Sequence, residues 1–147
     1  MRHARPTIYT TGYLAGWTPG ALAAAVTEQE AVLCDVRFMP RSRVPGWNRV
    51  QLERLMGARY RHLKALGNRN YKGGEIALVD ITEGLRQVEA LLDQFDNVVL
   101  LCACRDARHC HRRLGAHQAS RYLGVPTAEL HSPPGLQMTL FDGGASA

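Results

Sequence analysis

The sequence predicts an α/β fold: a single three-layer domain with a mostly parallel sheet of about five strands and helices on both faces. Three observations carry this. Strand-like and helix-like segments alternate along the chain. Two strand segments, "AVLCDV" (31–36) and "NVVLLC" (97–102), are continuous apolar runs, as in parallel strands buried on both faces. The chain has 147 residues, of which 46% are hydrophobic, so it is the size of one domain and can build a full core without a disulfide or a metal.

The elements follow in order. "TIYTTG" (7–12) is β-branched and aromatic and stops at Gly12, which reads as a strand. In "TPGALAAAVTEQ", Thr18 is an N-cap, Pro19 fits the first helical position and the alanines sustain the helix. "AVLCDV" is the second strand. "RFMPRSRVPGWN", with two prolines and three arginines, is a loop. Asn48 caps a helix running to about Met56, and "ARYRHL" (58–63) is a third strand. "KALGNRNYKGGEIALVD" is rich in Gly and Asn and reads as a long, partly mobile loop. Leu85, Val88, Leu91, Leu92 and Phe95 recur at helical spacing, which predicts a helix over 82–94. "NVVLLC" is a buried strand. Cys110 to Leu123 is a helix ending at Gly124, and "PTAEL" is a last short strand. The domain is thus read as residues 1–131, with 132–147 as a flexible tail marked by two prolines and a Gly/Ala/Ser end.

No apolar run approaches the length of about 20 residues that spans a bilayer, and no apolar segment follows the basic "MRHARP" start. The expectation is a cytoplasmic protein, away from membranes, with Cys34, Cys102, Cys104 and Cys110 reduced. The net charge of +5 favours phosphate-bearing or other anionic partners.

In open parallel sheets ligands bind beyond the C-terminal ends of the strands. Two strands end in unusual chemistry. "CDVRFMPRSR" supplies Asp35, Arg37, Arg41 and Arg43; "CACRDARHCHRR" supplies thiols, imidazoles and arginines. If the two strands are neighbours, both loops open into one crevice. The helix beginning near Cys110 carries His111, Arg112 and Arg113 in its first turn, where the helix dipole disfavours cations. An anion held by the orphan N–H groups and these side chains would offset that cost. Cys102 and Cys110 are candidate nucleophiles, because cationic surroundings and a helix N-terminus favour thiolate. Asp35 and His111 are candidate acid/base groups. Arg37, Arg41, Arg43 and Arg112 are candidate anion ligands. Cys102 to Arg108 spells C-x5-R, but no Gly lies between them to turn backbone N–H groups inward. Cys102, Cys104, Cys110 and His111 (or His109) do not have the paired spacing of a zinc site, and no metal or cofactor is assigned. Cys34, inside an apolar strand, reads as inert core.

In the tail, "QMTLF" (137–141) resembles the short peptide by which bacterial DNA polymerases and repair proteins dock on the beta sliding clamp. Leu140 and Phe141 would enter apolar pockets while Gln137 hydrogen-bonds beside them.

"IYTTGY", "LCDVRFMPRSR" followed by "PGWN", "YRHLKALG" and "LLCACRDARHCHRR" occur in this order. Together they resemble the family catalogued as domain of unknown function 488, over about Thr7 to Leu130. The resemblance implies a small α/β domain with no established activity. It also implies that Gly12, Asp35, Arg37, Pro40, Cys102, Cys110, His111 and Arg112 stand at the family's characteristic positions. Cys104 departs from the acid pictured there in relatives, which counts against a required role for it. The expectation is a nucleotide- or nucleic-acid-associated protein with a basic anion-binding crevice, linked to DNA repair or replication through its tail. The alternative is a cysteine-dependent enzyme acting on a phosphorylated or other anionic substrate.

Overall fold

A computed structural model of the chain describes residues 5–103 and 111–133. Five strands form one sheet: β1 (Ile8–Gly12), β2 (Ala31–Asp35), β3 (Tyr60–His62), β4 (Asn97–Cys102) and β5 (Thr127–Glu129). The order across the sheet is β3-β2-β4-β1-β5, and every pairing is parallel. The helices are α1 (Pro19–Glu28), α2 (Arg49–Met56), α3 (Ile81–Leu92) and α4 (His111–Leu123). No described helix is long and apolar enough to cross a membrane.

Side chains alternate between the two faces of a strand. Val32, Cys34, Val98, Leu100 and Cys102 meet Val88, Leu91 and Leu92 of α3 and Ala116 and Ala119 of α4. Leu33, Val99 and Leu101 meet Leu22 and Val26 of α1 and Leu52 of α2. Hence α1 and α2 cover one face and α3 and α4 the other. β2 and β4 are buried on both faces, which is why they read as unbroken apolar runs rather than alternating ones.

The caps act as their residue types dictate. Thr18 accepts from Ala21 N at 3.1 Å, with Pro19 at the first position of α1. At α2, Gln51 Oε1 accepts from Asn48 N at 3.2 Å, while Asn48 Oδ1 accepts from Ser42 N at 2.7 Å and so holds the preceding loop.

Two segments differ from the sequence expectation. The third strand is shorter, because a 3-10 turn (Gly57–Arg59) takes its start. The long Gly/Asn-rich segment is not open loop throughout. It begins with a 3-10 turn (Lys64–Leu66), and Asn68 bridges antiparallel to Leu78. Asn68 Oδ1 accepts from both Asn70 N and Ala77 N, Asn70 Nδ2 donates to Glu75 O, and Val79 N donates to Gly67 O. Asn side chains replacing backbone partners in this way hold tight turns.

Candidate functional site: the cleft at the ends of β2 and β4

β4 lies between β2 and β1, and its exit differs from theirs. β1 and β2 lead to α1 and α2 on one face, whereas β4 leads to α4 on the other. Connections that diverge from adjacent strands open a crevice at their C-terminal ends. A cleft of about 610 Å³ lies there, lined by Arg37, Phe38, Met39 and Arg41 after β2 and by Ala103 after β4. Asn68, Asn70, Tyr71, Gly73, Gly74 and Ile76 of the tied loop form its opposite wall.

Asp35 is the hub beside this cleft. It is fully buried at the last position of β2. Its Oδ1 accepts from Arg37 Nε at 2.8 Å and from Arg37 N at 3.2 Å. Its Oδ2 accepts from Arg37 Nη2 at 2.6 Å and from the Tyr60 hydroxyl at 2.5 Å. This bidentate fork is the strong geometry for a carboxylate and a guanidinium. A buried carboxylate is tolerable only with such partners, and deleting one partner of a buried pair typically costs about 3–5 kcal/mol. Burial works against the charge on Arg37, but the hydrogen bonds and charge of Asp35 outweigh it, so the guanidinium sits above its ordinary range.

Arg37 is fixed from other sides as well. The central carbon of its guanidinium lies 5.5 Å from the centroid of the Tyr13 ring, which stacks on Trp47 at 4.8 Å. His62 Nε2 lies 2.8 Å from Arg37 O, and Arg49 Nη1 lies 3.4 Å from His62 Nδ1. A carbonyl only accepts and a guanidinium only donates, so Nε2 carries the His62 proton. After these contacts Arg37 Nη1 is buried and has no hydrogen-bond partner among the described residues.

The other predicted residues divide. Arg41 and Arg43 are exposed because Ser42 between them turns inward, where its Oγ accepts from the Tyr13 hydroxyl at 2.7 Å. Of the two, Arg41 lines the cleft and Arg43 does not. Gly12 is buried at the end of β1, in register with Cys102. Cys102 faces away from Asp35: Asp35 is in register with Leu101, so the next residue along β4 points to the opposite face. There Cys102 Sγ accepts from Arg112 Nη1 at 2.8 Å, and Arg112 Nη2 donates to Glu129 Oε2 at 2.7 Å. The Thr10 hydroxyl also donates to Glu129. Arg112 has no exposed surface. It ties α4 to β4 and β5, where the sequence suggested a side chain facing the crevice. Cys104 and Cys110 lie outside the described residues, as do Arg108, His109 and the side chain of His111. The tail residues Gln137, Leu140 and Phe141 do too. Among the described residues no group of three His, Cys, Asp or Glu is placed to hold a metal ion.

Sequence reasoning missed Tyr60, Tyr13, Phe38 and the Asn68–Tyr71 wall. For the wall a signal existed: asparagines and paired glycines around an aromatic residue are turn chemistry as much as loop composition.

Two buried acids supply a pH test. Burial first, then the charge of Asp35 and its hydrogen bond, push the Tyr60 phenol well above its ordinary 10.0. Burial, with a smaller contribution from Asp35 and against an opposing one from Arg61, pushes the Cys34 thiol well above its ordinary 9.0. In both, the folded state keeps a proton that the unfolded chain releases. Their stabilisation is therefore complete below pH 9 and is lost as pH rises through 9 and then 10, by about 1.4 kcal/mol per pH unit for each group. Denaturation midpoints measured from pH 8 to 11 should fall along that course. Tyr60→Phe should remove the component beginning near pH 10, and Cys34→Ala the one beginning near pH 9. A wild-type profile that stays flat across this range would contradict the assignment.

Residues 21–77 match the family model described as "Domain of unknown function DUF488". The matched segment runs from α1 through β3 to the cleft wall and holds every described cleft-lining residue except Ala103. The segments around β1 and β4 lie outside it. No curated protein matches the chain. Over residues 21–77 the chain is similar to the DUF488 family, a domain whose function that description leaves open.

Proposed function

We propose that the cleft binds a phosphate-bearing ligand, making the chain a nucleotide- or nucleic-acid-associated protein. The observation that carries this is Arg37 Nη1: a buried, charged donor without a partner among the described residues, on a side chain that lines the cleft. An unpaired buried donor costs about 1–3 kcal/mol, more when charged, and such groups in native proteins call for a reason. A ligand oxygen accepting from Nη1 supplies one. Asp35 holds the guanidinium rigid, so little side-chain freedom is lost on binding. Arg41, exposed at the rim, adds a charge that Asp35 does not neutralise, and the chain's net charge of +5 draws anions in.

The tail completes the reading. Gln137, Leu140 and Phe141 dock the chain on the beta sliding clamp and so deliver the cleft to replication or repair machinery in the cytoplasm.

A second reading, a cysteine-dependent enzyme acting on an anionic substrate, has one observation in its favour. The Arg112 guanidinium donates to Cys102 Sγ, and a cation at that distance favours the thiolate. Complete burial of Cys102 weighs against it, because substrate must reach the sulfur.

Three measurements separate these. Anisotropy of a labelled single-stranded oligonucleotide should show an affinity that falls steeply with salt. Arg41→Gln should weaken it and lower the salt slope by about one, with no loss of stability because Arg41 is exposed. No affinity, or a salt-insensitive one, would sink the phosphate reading. The full chain should bind immobilised beta clamp, and L140A/F141A should abolish that binding; equal retention of the double variant would remove the docking role. Iodoacetamide near neutral pH should react slowly and without selectivity, whereas rapid selective alkylation of Cys102 or Cys110 would favour the enzyme.

A further inference from the structure

The aromatic lining of the cleft has its own chemistry. Phe38 and Tyr71 stack with ring centroids 5.4 Å apart and planes inclined by 22°. Both line the cleft, and Tyr71 is 49% exposed, so the aromatic column ends in an open ring at the mouth. Lys64 Nζ lies 4.6 Å from the Phe38 centroid and Lys72 Nζ 5.9 Å from that of Tyr71. Gly73 and Gly74 follow immediately, with φ of +148° and +95°, and a Cβ at either would meet nothing within 4 Å. The backbone beside Tyr71 thus carries no side chain at positions 73 and 74.

An exposed aromatic ring is common, but this one is held. Gly73 N donates to Asn70 O at 2.9 Å, and Asn70 Nδ2 donates to Glu75 O at 2.8 Å, which closes the turn around Tyr71. Asn68 Oδ1 takes two backbone donors, so the amide orientation is set, and its Nδ2 has no acceptor among the described residues. The Tyr71 ring and the Asn68 amide line a space of a size that suits a small ligand, with the Lys64 and Lys72 ammonium groups over the aromatic rings.

We propose that Tyr71, backed by Phe38, is the stacking platform for one unpaired nucleobase, so that the ligand of the cleft is a nucleoside phosphate. The proposal rests on the phosphate reading given above. The base extends the Phe38–Tyr71 column, and Asn68 Nδ2 donates to its edge. Lys72 leaves the ring and joins Arg37 and Arg41 on the phosphate. Every base presents a π-face, so the platform tolerates any base and leaves selectivity to the amide. The nucleoside phosphate is either a free nucleotide or one residue of a single strand. A duplex is excluded from the platform, since its bases are already stacked.

The test is calorimetric titration of the full chain with adenosine 5′-monophosphate, ribose 5-phosphate and adenosine. The nucleotide should bind about ten-fold more tightly than ribose 5-phosphate, the range expected for one stacked base. Tyr71→Ala should bring the nucleotide down to the ribose 5-phosphate level and leave ribose 5-phosphate itself unchanged, while Tyr71→Trp should retain the difference. Equal binding of nucleotide and ribose 5-phosphate by the wild type would overturn the platform and leave the phosphate reading standing. Adenosine binding as tightly as the nucleotide, lost in Tyr71→Ala, would support the platform and overturn the phosphate reading. No binding of any of the three would overturn both. An oligothymidylate that binds more tightly than the mononucleotide, and weakens in Tyr71→Ala, would assign the base to a strand. Equal affinities would assign it to a free nucleotide.

Discussion

The buried carboxylate of Asp35 is the constraint around which the candidate site is built. A charge with no access to water must be met by donors held close and in the right directions. Meeting it determines the conformation of Arg37, the position of the Tyr60 hydroxyl on β3, and the course of the chain as it leaves β2. The consequences spread outward. The Arg37 backbone takes the His62 imidazole, and the Arg37 guanidinium lies over Tyr13, which stacks on Trp47. Tyr13 in turn donates to Ser42, which sets Arg41 and Arg43 facing out. One acid thus organises three strands' ends and the loop that forms half of the cleft.

A second organising fact is the alternation of faces along β2 and β4. Asp35, Arg37 and Tyr60 belong with the α1/α2 side, and Cys102 with Arg112 and Glu129 belongs with the α3/α4 side. Adjacent strand ends therefore carry two separate polar clusters rather than one. The cluster around Arg112 is fully packed and joins β1, β4, β5 and α4, so its first consequence is mechanical: it ties the start of α4 to the sheet. The cluster around Asp35 borders a cleft. The two clusters thus differ in access rather than in residue type.

The cleft is also stiff where stiffness is useful. The segment from Leu66 to Asp80 would cost conformational entropy to order on binding if it were loose. Instead Asn68 substitutes for two backbone acceptors, and Gly84 of α3 packs against Leu66 so closely that a Cβ there would lie 2.3 Å from Leu66 Cδ2. The wall of the cleft is thereby seated on α3.

Much of the fold was legible from residue patterns alone. Continuous apolar runs disclosed β2 and β4 because strands buried on both faces have no polar alternation to show. Thr18 with Pro19, and Asn48, disclosed two helix starts because capping is local chemistry. Asp35, Arg37 and Arg41 were legible as residues at or beside a crevice because parallel sheets open one at the C-terminal ends of their strands. The strand order was not legible, since nothing local in β4 states that it inserts between β1 and β2. Nor was the partnership of Tyr60 with Asp35, which are 25 residues apart and meet only through the β2–β3 register. Arg112 read as an anion ligand facing the crevice, but a basic residue in the first turn can face either way, and only the packing of α4 on the sheet turned it inward onto Cys102 and Glu129. The sequence by itself determined the elements and the chemical character of their ends. Tertiary structure decided which of those ends meet, which face each side chain takes and which donor has no acceptor among the described residues, because these depend on contacts between residues far apart in the chain.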